Sequence, residues 1–306
     1  MEARRQAPLP RLPAARLGLS RTRPRPSGAG PGQGLVRRAC PRGPARRPLD
    51  GPHRMSFAKP LSLRPNPAPA PIGTAMVLAA GLGKRMRPLT ATRPKPLVEV
   101  AGKALLDHVL DRLRDAGIGR VVVNVHYLAD ALEAHLRRKA ADLDVRISDE
   151  RGLLLETGGG VARALPLIPD DPFLIVNSDN LWVDGPVDAI SLLADRWDDA
   201  AMDALLLLVP LARANCHSGM GDFHMDGDGH IARRRTAKVA PFVYTGIQLV
   251  SKRLFADLPE GPFGFMLLWE RAIAAGRAFG LVHQGLWFDV GTPPAIGKTE
   301  ALLGRN

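Results

Sequence analysis

Acidic residues are almost missing from the first 74 positions of this 306-residue chain, which hold 15 Lys and Arg against 2 acids and 15 of the 28 prolines. Residues 75–306 hold 27 basic and 28 acidic residues, so the net charge of +12 is a property of the N-terminal segment. The near-neutral remainder excludes reading the whole chain as a nucleic-acid binder from its charge. Cysteine is scarce as well: Cys40 and Cys216 have neither metal-site spacing nor a disulfide framework, and the expectation is a reducing, cytoplasmic compartment. Long apolar runs are lacking. The best stretch, around Leu205–Leu211, is broken by Pro210 and is far short of the ~20 residues that span a bilayer, so no membrane partner is expected. Aromatics make up 5% of the chain, and Phe57 is the only one before residue 75, which leaves no stacking platform for single strands there.

Residues 1–73 bury too little apolar surface to offset the entropy of ordering, and are expected to be a disordered Arg/Pro-rich extension ahead of a domain over 74–306. The favoured reading is a translation start at Met55. An arm for nucleic acid or an anionic surface and an organellar transit peptide are the alternatives.

From residue 74 onward, strand and helix signals alternate. Apolar runs at 74–79, 121–125, 173–176, 205–209 and 243–250 read as strands, with alternation at 143–147. Helical spacing runs through Leu105–Leu113, stopped by Gly117, and through 128–136, 161–165, 266–275 and 294–303. The pattern predicts an α/β fold, a mostly parallel sheet with helices on both faces and ligands at the carboxyl ends of its strands.

The first strand runs into Ala79-Ala80-Gly81-Leu82-Gly83-Lys84-Arg85, whose backbone N–H groups and cations suit a polyphosphate. A Walker A loop would need Ser or Thr where Arg85 stands, and a dinucleotide fingerprint a glycine where Met86 stands. Downstream, Lys95 is held between Pro94 and Pro96, which restrict the backbone on both sides. Asp179, after Asn177-Ser178, closes a strand, and Asp289 lies in Trp287-Phe288-Asp289-Val290-Gly291-Thr292. A carboxylate closing a strand near a phosphate loop suits magnesium, while each aspartate taken alone also reads as a helix N-cap or turn former.

The pattern Gly81-x-Gly83-x-Arg85-x-x-Pro88-Leu89-Thr90, followed by Pro94-Lys95-Pro96-Leu97, resembles the signature of the nucleotide-sugar pyrophosphorylases, the sugar-1-phosphate nucleotidyltransferases, over nearly all of 74–303. The resemblance implies a Rossmann-like, GT-A-like sheet and transfer of a nucleotidyl group from a nucleoside triphosphate to a sugar 1-phosphate. Mg2+ would be the cofactor, held by Asp179 and Asp289. Arg85 and Lys84 would neutralise the leaving phosphates, and Lys95 would hold the sugar phosphate and α-phosphate. Ala79, Ala80, Gly81 and Gly83 would approach base and phosphates. Asn177 belongs to the Asn-x-Asp motif, Glu156, Gly158 and Gly159 would face nucleotide and sugar, and Asn124 would approach the base or shape its pocket.

The form Glu156-Thr157-Gly158-Gly159-Gly160, with Gly221-Asp222-Phe223 and Tyr244-Thr245-Gly246-Ile247, is similar to the uridylyltransferases acting on N-acetylmuramic acid 1-phosphate in cell-wall recycling. Guanylyltransferases acting on mannose 1-phosphate share much of it. Ser178 replaces the usual glycine, and Phe263-Gly264-Phe265-Met266 departs from a more polar sugar-side wall. His126 reads as a packed or surface histidine and Arg233-Arg234-Arg235 as a solvated hairpin face. No catalytic histidine pair stands out, and none is required, because the attacking phosphate monoester is already mostly dianionic at neutral pH. The rival classes are a catalytically silent regulatory protein and a nucleic-acid binder using the basic arm. Oligomeric state is not legible.

Overall fold

The computed structural model describes residues 72–304. The Met55 start, and all but the last two residues of the expected 1–73 extension, lie outside the described residues. In chain order the strands are β1 (Thr74–Leu78), β2 (Glu99–Val100), β3 (Lys103–Ala104), β4 (Arg120–Val125), β5 (Asp144–Asp149), β6 (Phe173–Asn177), β7 (Asn180–Val183), β8 (Ala204–Pro210), β9 (Ala214–Asn215), β10 (Phe223–Met225), β11 (Ile231–Arg233), β12 (Phe242–Val250), β13 (Ala278–Val282) and β14 (Leu286–Asp289). The helices are α1 (Leu105–Asp115), α2 (Ala129–Lys139), α3 (Glu156–Ala164), α4 (Ala189–Arg196), α5 (Met266–Ala274) and α6 (Pro293–Leu303).

The main sheet runs β11-β10-β12-β6-β1-β4-β5, with β8 pairing β12 and β13. The block β6-β1-β4-β5 is parallel throughout. β6, β1 and β4 are apolar on both faces, as strands covered by helices on either side require, whereas the edge strand β5 alternates, with Val145 and Ile147 on its apolar face. Ala75, Val77, Val121, Val123, Leu174 and Val176 pack with Leu106, Val109 and Leu113 of α1, Leu132 of α2 and Leu193 of α4. The alternate residues Met76, Val122, Phe173 and Ile175 pack with Val161 of α3 and Leu268 of α5. A third apolar cluster joins Met86, Val98, Val100, Leu105, Leu181, Phe288 and Val290. No helix of the described residues is long and apolar enough to cross a membrane.

The expected α/β sheet is present, and three features were not legible in the pattern. The expected strand at 243–250 runs antiparallel to both β6 and β8, so the parallel core carries an antiparallel extension. The register of β12 against β8 shifts between Tyr244 and Gln248, around Gly246 at φ 84. A separate small sheet, β7-β14-β9, forms beside the main one.

The third feature is α3, which begins at Glu156 and takes in Gly158, Gly159 and Gly160, ahead of the helical run expected at 161–165. Glycine disfavours a helix interior, yet here packing requires it. A Cβ on Gly158 would lie 2.5 Å from the Phe263 ring, and one on Gly160 would lie 2.7 Å from Glu150 Oε1. The sign of a Gly→Ala change should therefore depend on position. Gly297→Ala in α6, with open space around it, should stabilise by about 0.5–1 kcal/mol. Gly160→Ala should destabilise by about 1–3 kcal/mol through overpacking. Urea unfolding of both variants checks this, and a more stable Gly160→Ala protein would contradict the packing described.

Candidate active site

The site lies where the architecture predicts, at the carboxyl ends of β1, β4 and β6. Ala79 follows β1, and its N–H donates to Asn124 Oδ1 at 2.7 Å. Asn124 Nδ2 donates in turn to Glu150 Oε1 at 2.7 Å, and Glu150 Oε2 accepts the Leu155 N–H at 3.1 Å. Both side chains are buried. Asn124 lines the cleft, but both ends of its amide are committed, so it shapes the pocket by holding the start of the Gly-rich loop. His126, read as a packed or surface histidine, is half-buried and its Nδ1 lies 2.7 Å from the Glu150 carbonyl oxygen.

The loop then turns at Gly83, whose φ of 60 is left-handed and whose carbonyl accepts the Thr90 hydroxyl at 2.8 Å. A Cβ there would lie 3.0 Å from Thr90 Cγ2 and 3.1 Å from Lys95 Cβ. Tyr127 closes the far end of the loop by donating to the Thr90 and Ala91 carbonyls. Met86, fully buried, anchors the short 3₁₀ turn that presents Lys84 and Arg85.

Two adjoining cavities share Asn177 and Asp179. The larger, about 420 Å³, is lined by Leu78, Ala79, Ala80, Gly81, Lys95, Pro96, Asn124, Leu154, Glu156, Thr157, Asn177, Ser178 and Asp179. The smaller, about 160 Å³, is lined by Arg85, Asn177, Asp179, Asn180, His217, Asp222, Tyr244, Gly246, Trp287, Asp289 and neighbours. Lys95 Nζ donates to Asp179 Oδ2. Asn180 pairs with Asp289 across β7 and β14, which brings the two expected metal carboxylates to the same small cavity. Arg85 comes to them past Gly291, where a Cβ would lie 2.8 Å from Asp289 Oδ1 and 3.3 Å from Arg85 Nη1. Tyr244 receives support from Asp222, whose Oδ2 accepts its N–H at 2.9 Å. Desolvation pushes the Tyr244 phenol well above its ordinary range, so it stays protonated.

The fit to a divalent cation follows from the donor set. Among the described residues no group of three or more His, Cys, Asp and Glu is arranged to enclose a metal. Asp179 and Asp289 offer hard oxygens in one cavity, and phosphate oxygens and water would have to complete the coordination, a donor set that suits magnesium.

Several expected contacts move. Lys84 is exposed and lines neither cavity. Gly158 and Gly159 are buried behind the cleft wall, and their N–H groups donate to the Phe263 carbonyl at 2.9 and 3.0 Å, so they do not face a ligand. Glu156 and Thr157 line the cleft in their place, Glu156 with a left-handed φ of 60. Phe263 and Phe265 are core, and Phe265 packs on Phe255 and Trp269. The 263–266 segment therefore caps α3, which is why it is not polar. Arg234 is not a solvated face: its Nε donates to Gly221 O at 2.9 Å and its Nη1 to Lys238 O at 3.1 Å. Two residues escaped the sequence reading, Glu150 and His217. Glu150 carries no motif, and His217, whose Nδ1 lies 3.0 Å from Asp289 Oδ2, is too distant along the chain for spacing to reveal.

The chain is 47% identical over 234 residues to an N-acetylmuramate alpha-1-phosphate uridylyltransferase of Caulobacter vibrioides, covering 76% of this chain and 97% of the relative. It is 34% identical over 232 residues to the enzyme of that name from Neisseria meningitidis serogroup B, covering 75% and 98%. The crystal structure of HddC from Yersinia pseudotuberculosis shares the fold, with a TM-score of 0.62 at 23% identity over 76% of this chain and all of the other. The family profile described as nucleotidyl transferase matches residues 74–233, and the chain belongs to that family, as an enzyme of the nucleotidyltransferase class.

Proposed function

We propose that the protein transfers a uridylyl group from UTP to N-acetylmuramic acid 1-phosphate, giving UDP-N-acetylmuramic acid and pyrophosphate, in the cytoplasm and as a step of cell-wall recycling. The observation that carries the reaction is the pair of cavities meeting at Asp179, with Lys95 bonded to that carboxylate and Arg85 beside Asp289. The 47% identity to a named uridylyltransferase, over 97% of its length, supports the choice of base and sugar.

The larger cavity, closed by Ala79–Gly81 and Glu156, takes the nucleoside and the sugar phosphate, and the smaller one, which Arg85 lines, takes the β- and γ-phosphates of the nucleotide. A phosphate oxygen of the sugar 1-phosphate forms a bond to the α-phosphorus while the bond from that phosphorus to the bridging oxygen of pyrophosphate breaks. No proton has to be removed from the nucleophile, so the chain's work is alignment and charge neutralisation. Lys95 draws the two reacting phosphates together where the cavities join. Arg85 offsets charge accumulating on the departing pyrophosphate. Mg2+ held by Asp179 and Asp289 would neutralise the phosphate oxygens and fix their geometry. Neither nucleic acid nor a membrane is needed by this chemistry.

Pyrophosphate release by the full chain, measured with UTP or GTP against N-acetylmuramic acid 1-phosphate or mannose 1-phosphate, should be fastest for UTP with the muramic sugar and absent without a divalent ion. Preference for GTP and mannose 1-phosphate would overturn the substrate pair. Silence with every pair, from folded protein that binds no nucleotide, would overturn the reaction. Lys95→Met should lower kcat by about 10²–10³-fold, the scale of one lost electrostatic donor, with thermal unfolding little changed. Near-normal kcat would remove Lys95 from the mechanism.

A further inference from the structure

The segment after β9 folds a histidine beneath Asp289. Ala214 and Asn215 run parallel to Trp287 and Phe288, and Asn215 Nδ2 donates to the Trp287 carbonyl at 3.0 Å. Cys216 then takes a left-handed φ of 62, which ends the strand and turns His217 back toward the end of β14. His217 Nδ1 lies 3.0 Å from Asp289 Oδ2. A carboxylate oxygen can only accept, so Nδ1 is the donor. The ring packs near Trp287, with centroids 6.2 Å apart.

The other ring nitrogen shows what the residue is for. Nε2 is buried and has no hydrogen-bond partner among the described residues, and a Cβ on Gly219 would collide with it. Leaving a buried polar atom unpaired costs free energy, and an apolar side chain would fill the same space without that cost. The contact that a histidine adds is the one to Asp289. With Oδ2 taken by Nδ1–H, Oδ1 is the oxygen left beside Gly291, on a residue that lines the small cavity together with Asp179.

We propose that His217 is a positioning residue that locks the Asp289 carboxylate, through Nδ1 alone, in the orientation that presents Oδ1 to the divalent cation. The assignment rests on the metal reading above. It predicts a specific pattern of substitution, because the Asn side-chain N–H lies near the place of Nδ1, whereas the Gln N–H reaches toward that of Nε2. Partners at this second layer tune metal affinity by about 10–100-fold.

The test is Mn2+ affinity of the full chain with a non-hydrolysable UTP analogue, read from the electron paramagnetic resonance signal of free Mn2+. His217→Ala and His217→Gln should weaken binding by about 10–100-fold and raise the Mg2+ concentration for half-maximal turnover by a similar factor. His217→Asn should recover most of the affinity. Should the Ala protein fail to fold, the Asn–Gln contrast at matched melting temperature carries the result. Equal Mn2+ affinity in wild type and the Gln variant would overturn the assignment, as would Asn and Gln variants that are equally impaired. Asp289→Asn separates the two layers of inference. Wild-type Mn2+ binding by that variant would refute the metal reading itself, whereas loss there with intact binding in His217→Gln would refute only the role of His217.

Discussion

The antiparallel ladder of β7 against β14 is the constraint on which the site depends. It pairs Asn180 with Asp289 and Leu181 with Phe288, so Asp179, one residue before the ladder, arrives beside a carboxylate from the far end of the chain. Leu181 and Phe288 are themselves rooted in an apolar cluster with Met86, the buried anchor of the Gly-rich loop. One plug of side chains therefore sets the height of both aspartates and of Arg85. A slip of one residue in the ladder would turn Asp289 to the opposite face of the strand, and the cavity would lose a carboxylate without any change in composition.

A second layer serves the nucleotide side in the same way. Asn124 spends its acceptor on Ala79 and its donor on Glu150, and Glu150 takes a second donor from Leu155. A buried carboxylate is tolerable because hydrogen bonds replace its lost water. The network ties the first residue of the phosphate loop to the start of α3, and Gly160 is the clearance that lets the helix approach it. Rigid support of this kind keeps the backbone amides of 79–83 in place before any ligand arrives, which is what a reaction driven by alignment requires.

Much of this was legible in the sequence, for identifiable physical reasons. The buried strands announce themselves as apolar runs, and Leu105–Leu113 as a helical stripe, because one period dominates each segment. Asp179, Asp289, Arg85 and Lys95 could be named because each sits in a local motif. What was not legible depends on long-range pairing. The antiparallel direction of β12, the separate β7-β14-β9 sheet and the His217–Asp289 contact arise between segments whose spacing carries no signal. The three glycines of α3 misled in the opposite direction: intrinsic propensity argues for a loop, and close packing against Phe263 and Glu150 outweighs it. Arg234 likewise reads as a solvated cation, yet its guanidinium is spent on two backbone carbonyls.

That Asp179 and Asp289 serve one shared function is the claim most open to direct trial. A double-mutant cycle with Asp179→Asn and Asp289→Asn, scored by the single-turnover rate of nucleotide-sugar formation, provides it. If both carboxylates hold the same ion, each single change should cost about 10²-fold or more, and the double variant should be no slower than the slower single. Losses that multiply, to about 10⁴-fold or beyond, would mean that the two aspartates act independently and would contradict a common site.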